Sequence, residues 1–164
     1  MQRKGLLLIL LAILTVSIPV FWLLNQNETV AQDFTLTDLN GNTFHLSDFK
    51  GKIVVLDFMA TWCGACKQQI LHYDEVWKEY ENKLVLIIID IDLRESEGAL
   101  RKFSEQFSHS DWIWARDTAN LAKSYKITAI PKTVIIDQNG YIRYSHTGVI
   151  PLSTFKNIIN QLLD

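Results

Sequence analysis

The stretch FMATWCGACKQQ, residues 58–69, contains both cysteines of the chain, Cys63 and Cys66. It overlaps the end of a nearly continuous apolar run, KIVVLDFMA (52–60), which is typical of a strand buried on both faces of a sheet. Beyond the second cysteine, five large side chains fall on one face of a helix: Ile70, Tyr73, Val76, Trp77 and Tyr80. The pair is therefore predicted at the junction between a buried strand and an amphipathic helix.

Two closely spaced cysteines can serve several purposes, and the neighbouring residues distinguish between them. A structural zinc site usually needs about four ligands, and the histidines here occur singly. Haem attachment requires a histidine directly after the second cysteine, where this chain has Lys67. A peroxiredoxin would place a threonine three residues before its reactive cysteine, whereas Thr61 lies only two before Cys63. A purely structural disulfide across so short a loop would restrict the unfolded chain little.

A redox centre fits the strand–helix junction better than these alternatives. At the start of the helix, Cys63 would lie near unpaired backbone N–H groups and the positive end of the helix dipole. Both favour the thiolate, so Cys63 is predicted to be the attacking sulfur. Cys66, one turn further on, is predicted to resolve the mixed disulfide. Gly64 and Ala65 are small and uncharged, which leaves the approach to Cys63 open.

The rest of the chain alternates strand and helix patterns. An N-terminal hairpin is predicted from residue 33, where apolar and polar residues alternate on either side of the turn DLNGN. The later elements are a buried strand (84–92), a helix capped by Ser96, a short strand (112–116), a short helix (118–125), a hairpin (132–148) and an amphipathic helix (152–163). This order predicts an α/β domain with a central mixed β-sheet flanked by helices.

The N-terminus has a different character from the domain. Residues 5–24 carry no charge, and as a helix they would span roughly 30 Å, the thickness of a bilayer core. Arg3 and Lys4 precede this run and should remain cytoplasmic, while Trp22 lies where an interfacial aromatic residue is favoured. The sequence thus predicts one transmembrane helix, with everything after it outside the cytoplasm.

These features divide the chain into three parts: an N-terminal transmembrane anchor or signal segment (1–24), a polar tether (25–32) and the folded domain (33–164). A cleaved signal peptide is the alternative to a retained anchor, with TVA at 29–31 as a tolerable cleavage site. In the first case the domain is anchored at the cell surface or in the periplasm, and in the second it is secreted.

The charge of the chain argues against nucleic acid as a partner. The formal net charge is -2, and beyond the two basic residues at the N-terminus the chain has 14 basic and 18 acidic residues. A protein that binds nucleic acid would need a basic face.

Two further motifs identify a resemblance. The stretch VVLDFMATWCGACKQQ, followed by AIPKTVIIDQNG, resembles the thioredoxin superfamily. The opening DFTLTDLNGNTFHLSDFKGK and the N-terminal apolar segment resemble its TlpA/ResA-like branch of exported thiol-disulfide oxidoreductases, over about residues 33–164. The resemblance implies a thioredoxin-like fold in which the Cys63–Cys66 disulfide is the redox centre, with no metal and no separate cofactor.

The same resemblance implies roles for other residues. Pro131 matches a cis-proline beside the disulfide, which leaves the backbone at Ile130 free to bind substrate as an added strand. Trp62 matches an active-site tryptophan, and with Gly64 and Ala65 it would complete the substrate-binding surface. Alternatively, Pro131 is an ordinary trans proline at a strand start, and Trp62 only covers the helix terminus.

Asp57, inside the apolar run VVLDF, matches a buried acid that relays the proton of the second cysteine. A carboxyl in an apolar strand has a raised pKa and can act as a general acid or base near neutrality. Alternatively, Asp57 only makes a buried structural hydrogen bond.

Together these observations predict an enzyme that reduces disulfides of exported proteins and receives electrons from a membrane protein. A disulfide-forming oxidase on the same fold is an alternative, and a copper-binding metallochaperone is a weaker one. Many family members have a proline where this chain has Ala65, and members devoted to cytochrome c maturation often have a glutamate where it has Gln69. A role in cytochrome c maturation is therefore not predicted.

Overall fold

The structure, a computed structural model, describes residues 29–107, 109 and 111–163. The predicted transmembrane segment 1–24 lies outside these residues. The helices and strands, in chain order, are β1 (Thr35–Thr37), β2 (Thr43–His45), a 3₁₀ turn (Leu46–Phe49), β3 (Ile53–Met59), α1 (Gly64–Tyr80), β4 (Leu84–Asp90), α2 (Glu97–Ser104), β5 (Ile113–Arg116), α3 (Leu121–Ser124), β6 (Lys132–Ile136), β7 (Ile142–Thr147) and α4 (Leu152–Leu163).

The central sheet is mixed, as the sequence predicts. Its five strands lie in the order β5-β4-β3-β6-β7. Strand β3 pairs in parallel with β4, and β4 in parallel with β5. Strands β6 and β7 form the predicted antiparallel hairpin, and β6 pairs antiparallel with β3. The predicted α/β class and its central mixed sheet are confirmed.

The N-terminal hairpin is a separate two-stranded sheet formed by β1 and β2. Leu36 lies opposite Phe44, and both side chains are buried against the larger sheet. The turn between the strands places Gly41 at a φ of 85°, a conformation that favours glycine. Alternation of apolar and polar residues therefore predicted the strands, and the glycine predicted the turn.

Strand β3 separates two apolar cores, because all seven of its residues are buried. Val55 and Met59 contact the core that contains the buried face of α1, whereas Leu56 and Phe58 contact the core beneath the N-terminal hairpin. Side chains along a strand alternate between faces. Asp57 therefore points toward the α1 side of the sheet, the side on which both cysteines lie.

The chain enters the domain beside the turn between β6 and β7. Ala31 donates its backbone N–H to Gly140 at 2.9 Å, and Ile142 donates to Thr29 at 2.8 Å. Val30 forms an isolated antiparallel bridge with Tyr141. Three residues of the predicted tether 25–32 thus pair with the domain, ahead of the boundary predicted at residue 33. In the described part of the chain, no helix has the length and apolar character needed to cross a bilayer.

Two neighbouring residues on α1 allow a test of the core that supports the site. Ile70 has no exposed surface, whereas Leu71 is 48% exposed. We expect Ile70→Ala to lower the free energy of unfolding by about 2–5 kcal/mol, because it leaves a cavity against the sheet. Leu71→Ala, the matched control, should change it by less than about 0.5 kcal/mol. Urea denaturation of the oxidised protein measures both values, and equal losses would contradict the assignment of the buried face.

Candidate active site

The cysteine pair lies at the N-terminus of α1, as predicted. Strand β3 ends at Met59, and a tight turn follows in which Cys63 donates its backbone N–H to Ala60 at 3.1 Å. Cys63 is the N-cap residue of α1, and its Sγ accepts the backbone N–H of Cys66 at 3.1 Å. The two sulfurs form a disulfide with an S–S distance of 2.06 Å. The helix terminus thus directs a backbone donor at the sulfur of Cys63.

The two cysteines differ in their access to solvent. Cys63 retains 8% of its surface exposed, and Cys66 has none. Gly64 and Ala65, which lie between them, are both exposed. A protein approaching from solvent therefore reaches Cys63 first, and Cys66 is reached only from within the fold.

A groove of about 390 Å³ lies against the turn that precedes Cys63. Trp62 and Ile130 both line it, and Trp62 is 64% exposed. The remaining lining residues are Ala60, Ile91, Asp92, Arg94, Ile127, Thr128 and Ala129. The Ile130–Pro131 peptide bond is cis, as predicted, and Pro131 is buried. The turn after β3 and the segment before β6 therefore form one surface next to Cys63.

The loop after β4 holds Trp62 in place. The indole Nε1 of Trp62 donates to Asp92 Oδ2 at 3.0 Å. Arg94 donates to both carboxylate oxygens of Asp92, each at 2.8 Å. These hydrogen bonds from Arg94 and Trp62 hold the pKa of Asp92 well below its usual range. Asp92 therefore stays ionised and fixes one edge of the Trp62 ring at the groove.

The same loop also holds the residue before Trp62. Thr61 donates its backbone N–H to Glu95 Oε2 at 2.8 Å, and its hydroxyl donates to Glu95 Oε1. Arg116 donates in turn to the carbonyl oxygens of Leu93, at 2.9 Å, and Glu95, at 2.5 Å. The turn that carries Cys63 is thus hydrogen-bonded to the β4–α2 loop through Thr61 and Glu95. Arg116 in turn holds that loop in place.

Asp57 is completely buried and belongs to a small polar network. Its Oδ1 accepts a hydrogen bond from the Tyr73 hydroxyl at 3.1 Å and a longer one from Thr133 Oγ1 at 3.5 Å. Its Oδ2 has no hydrogen-bond partner among the described residues. Burial raises the pKa of Asp57 to about 7, although both hydroxyls act to lower it. A buried carboxyl that titrates near neutrality can give or take a proton.

Two more polar side chains are buried on this side of the sheet. Asp90, opposite Met59 in the β3–β4 register, accepts the backbone N–H of Asp92 at 3.0 Å. Burial raises the pKa of Asp90 to about 6. Gln69, one turn beyond Cys66, accepts the backbone N–H of Ile150 through Oε1 at 2.6 Å. Gln69 therefore has a structural contact that sequence reasoning did not anticipate.

Sequence reasoning named the cysteines, Asp57 and Trp62, and the structure places the cysteines and Trp62 at one end of β3. It treated Tyr73 only as part of an apolar helix face, and it did not single out Thr133, Asp92 or Glu95. A hydroxyl in the buried strand KTVII was the signal available for Thr133. Within the described residues, no group of three or more histidine, cysteine or acidic side chains is arranged to hold a metal ion.

Comparison with known proteins agrees with this geometry. The AhpC/TSA family matches residues 28–145. ResA, a thiol-disulfide oxidoreductase of Geobacillus kaustophilus, is 30% identical over 153 residues, which cover 91% of this chain and 87% of ResA. The thioredoxin-like protein YneN of Bacillus subtilis is 34% identical over 126 residues, covering 76% of this chain and 74% of YneN.

A solved structure from Chlorobium tepidum, described as a DsbE thiol:disulfide interchange protein, superimposes with a TM-score of 0.73. It is 27% identical, and the match covers 84% of this chain and 97% of that one. The fold, the family match and the cysteine pair at the helix terminus lead to one conclusion: the chain belongs to the AhpC/TSA family and is a thioredoxin-like, ResA-like thiol-disulfide oxidoreductase whose redox pair is Cys63 and Cys66.

Proposed function

We propose that this oxidoreductase works in the reducing direction, on disulfides of exported proteins. The observation that supports the direction is the Gly64-Ala65 pair between the cysteines, which contains no histidine to stabilise the Cys63 thiolate as strongly as a disulfide-forming oxidase requires. The order of the two steps follows from burial: Cys63, at the helix N-terminus, keeps 8% of its surface exposed, and Cys66 keeps none. The helix terminus stabilises a thiolate on Cys63 and makes it a nucleophile near neutral pH. The buried Cys66 then reacts in the second step.

In the first step, the Cys63 thiolate attacks one sulfur of a substrate disulfide. The substrate S–S bond breaks, a mixed disulfide forms with Cys63, and one substrate thiolate leaves. Cys66 then attacks the Cys63 sulfur and releases the second substrate thiolate. The substrate gains two electrons and two protons, and the enzyme is left with the Cys63–Cys66 disulfide seen in the structure. A dithiol of a membrane protein would return the two electrons.

Cys66 must lose a proton before it attacks, and Asp57 is the proposed acceptor. Both residues lie on the α1 side of β3, and neither has any exposed surface. The raised pKa of Asp57, about 7, lets it accept a proton in the second step and donate one in the reverse reaction.

Substrate would bind across the groove beside Cys63. An extended peptide can pair with the free backbone at Ile130, next to Pro131, while Trp62 covers the residues that flank its cysteine. Exposed Gly64 and Ala65 present no bulk at the site of attack. The apolar floor of the groove suits a chain segment with few charges.

The location is proposed from the amino-acid sequence. The uncharged run 5–24, preceded by Arg3 and Lys4, supports a retained anchor with the domain on the extracytoplasmic side. The proposed membrane attachment rests on this segment, and so does the proposal of a membrane protein as electron donor.

The reduction potential of the Cys63–Cys66 couple tests the direction. We expect a value near that of thioredoxin, about -270 mV, as measured by equilibrating the protein with a dithiol buffer and following tryptophan fluorescence. A value near about -120 mV would contradict the proposal and indicate an enzyme that forms disulfides. The variant Cys66→Ser should show no such equilibrium and should instead accumulate the mixed disulfide.

Asp57→Asn tests the proton step. With substrate in excess, the rate of the second step should rise with pH through about 7 in the parent protein, because Asp57 must be ionised to accept the proton. We expect the variant to lose this rise and to be slower by about 10²-fold above neutrality. Stopped-flow fluorescence of single turnovers measures the rate.

Asp90→Asn is the matched control, since it removes a second buried carboxyl of raised pKa. It should retain the rise. If the rise survives in Asp57→Asn and disappears in Asp90→Asn, the assignment of the base is wrong.

The pH dependence of stability offers an independent readout of Asp57. The folded protein binds the Asp57 proton more tightly than the unfolded chain, because the pKa is raised from 3.8 to about 7. The protonated carboxyl therefore stabilises the fold at low pH, and this contribution is lost as pH rises through about 7. The free energy of unfolding of the oxidised protein, measured by urea denaturation, should therefore decline with pH. Asp57→Asn should remove the part of this decline that comes from Asp57.

Retention of the N-terminal segment can be tested directly. We expect N-terminal sequencing of the protein from a membrane fraction to show a chain that still contains residues 5–24, because the run is long for a signal peptide. A mature chain beginning near Gln32 would mean that the segment is cleaved and the domain released.

A further inference from the structure

We propose that Tyr73 and Thr133 are positioning residues that hold one oxygen of the Asp57 carboxyl and leave the other available for proton exchange with Cys66. The inference rests on the proposed role of Asp57 and extends it to two residues that lie outside the cysteine motif. Both side chains are buried and out of reach of a substrate, so each acts only through Asp57.

The three side chains form a closed set of contacts. The Tyr73 hydroxyl donates to Asp57 Oδ1 at 3.1 Å and lies 2.8 Å from Thr133 Oγ1. Thr133 Oγ1 is 3.5 Å from the same carboxylate oxygen. Tyr73 donates its proton to Asp57, and the single proton of Thr133 can point at the Tyr73 oxygen or, over the longer contact, at Asp57 Oδ1. Oδ2 then remains without a partner among the described residues.

Each member is held by a different element of the fold. Thr133 lies directly opposite Asp57 in the register of β3 and β6, so backbone pairing fixes its position. Tyr73 lies on α1 seven residues after Cys66, which places both on the same face of that helix. The helix that carries the resolving cysteine therefore also carries the hydroxyl that holds the proposed base.

The hydroxyls of Tyr73 and Thr133 matter for the pKa of Asp57 because of what else surrounds this carboxyl. Strand β4 presents apolar Ile88 opposite Asp57, and β6 presents Thr133. Helix α1 presents Tyr73, and the ring of Phe155 on α4 packs against it. Burial raises the pKa of Asp57, and the hydrogen bonds from Tyr73 and Thr133 lower it by a smaller amount. Loss of either hydroxyl should therefore raise the pKa of Asp57 further.

The packing of Tyr73 permits a test that removes little else. Its ring lies 5.1 Å from that of Phe155 and is buried in the core beneath α1. Phenylalanine can keep this packing, and only the hydroxyl is lost. Tyr80, on the same helix, offers a matched control, because its hydroxyl donates to Asn160 Oδ1 at 2.9 Å and has no contact with Asp57.

The experiment measures the second step of single turnovers against pH in the full-length protein, with a peptide disulfide as oxidant. In Tyr73→Phe we expect the midpoint of the rise to move up by about one pH unit, since a hydrogen bond to the ionised carboxyl is lost. The rate near neutrality should then fall by about 3- to 10-fold and approach the parent rate at high pH. Tyr80→Phe should keep the parent midpoint.

Thr133 provides a second pair of variants should Tyr73→Phe fail to fold. Thr133→Val keeps the shape and removes the hydroxyl, so its midpoint should also rise, while Thr133→Ser should restore the parent midpoint. In an Asp57→Asn background, Tyr73→Phe should have no further effect on the pH profile.

The outcomes separate the two proposals. If Asp57→Asn leaves the profile unchanged, the role of Asp57 itself is wrong. If Asp57→Asn abolishes the rise but Tyr73→Phe and Thr133→Val both keep the parent midpoint, the positioning role is overturned and the role of Asp57 stands. A uniform slowing at all pH values, with no shift of midpoint, would also overturn it.

Discussion

The site depends on the complete enclosure of strand β3. Its edges are occupied by β4 and β6, and all seven of its side chains are buried. Such a strand can end only at the rim of the sheet, where its backbone groups must find new partners. Here Ile91, just after β4, donates to the Met59 carbonyl at 2.9 Å, and Cys63 donates to the Ala60 carbonyl at 3.1 Å. The position of Cys63 is thus a result of how the central strand terminates.

The same enclosure explains why the pKa of Asp57, the polar side chain in β3, is raised to about 7. A carboxyl surrounded by apolar strands cannot be solvated by water, and its proton is held more tightly. Two neutral hydroxyls offset this only in part, because they solvate one oxygen of the pair. The result is a group that changes charge close to neutral pH instead of remaining ionised. An arginine or lysine in place of Tyr73 would instead keep Asp57 permanently charged.

Much of this arrangement could be predicted from local sequence. The apolar run before Cys63 predicted β3, and five residues on one helical face predicted the buried side of α1, all of which are buried. Ser96 caps α2 as predicted, with its side chain accepting the N–H of Ala99 at 3.1 Å. These features depend on neighbours within a few residues, so the periodicity and capping rules apply to them directly.

The contacts that complete the site could not be predicted in this way. Thr61 and Glu95 are separated by 34 residues, and Tyr73 and Thr133 by 60. Both pairs form only after the loop following β4 and the register of β6 have been set by tertiary packing. A single sequence shows that Thr133 is a polar residue in a buried strand, but it does not show which group on another strand that hydroxyl faces.

The path of the chain into the domain has a consequence for how the enzyme meets other proteins. Residues 29–31 join the fold beside Gly140, at the end of β6 far from Pro131, whereas the disulfide lies at the other end of the sheet. The length of β3 alone separates these ends by roughly 20 Å. If the N-terminus is attached to a bilayer, the disulfide is directed outward from it. A membrane-bound donor would then have to bridge that distance to reach Cys63.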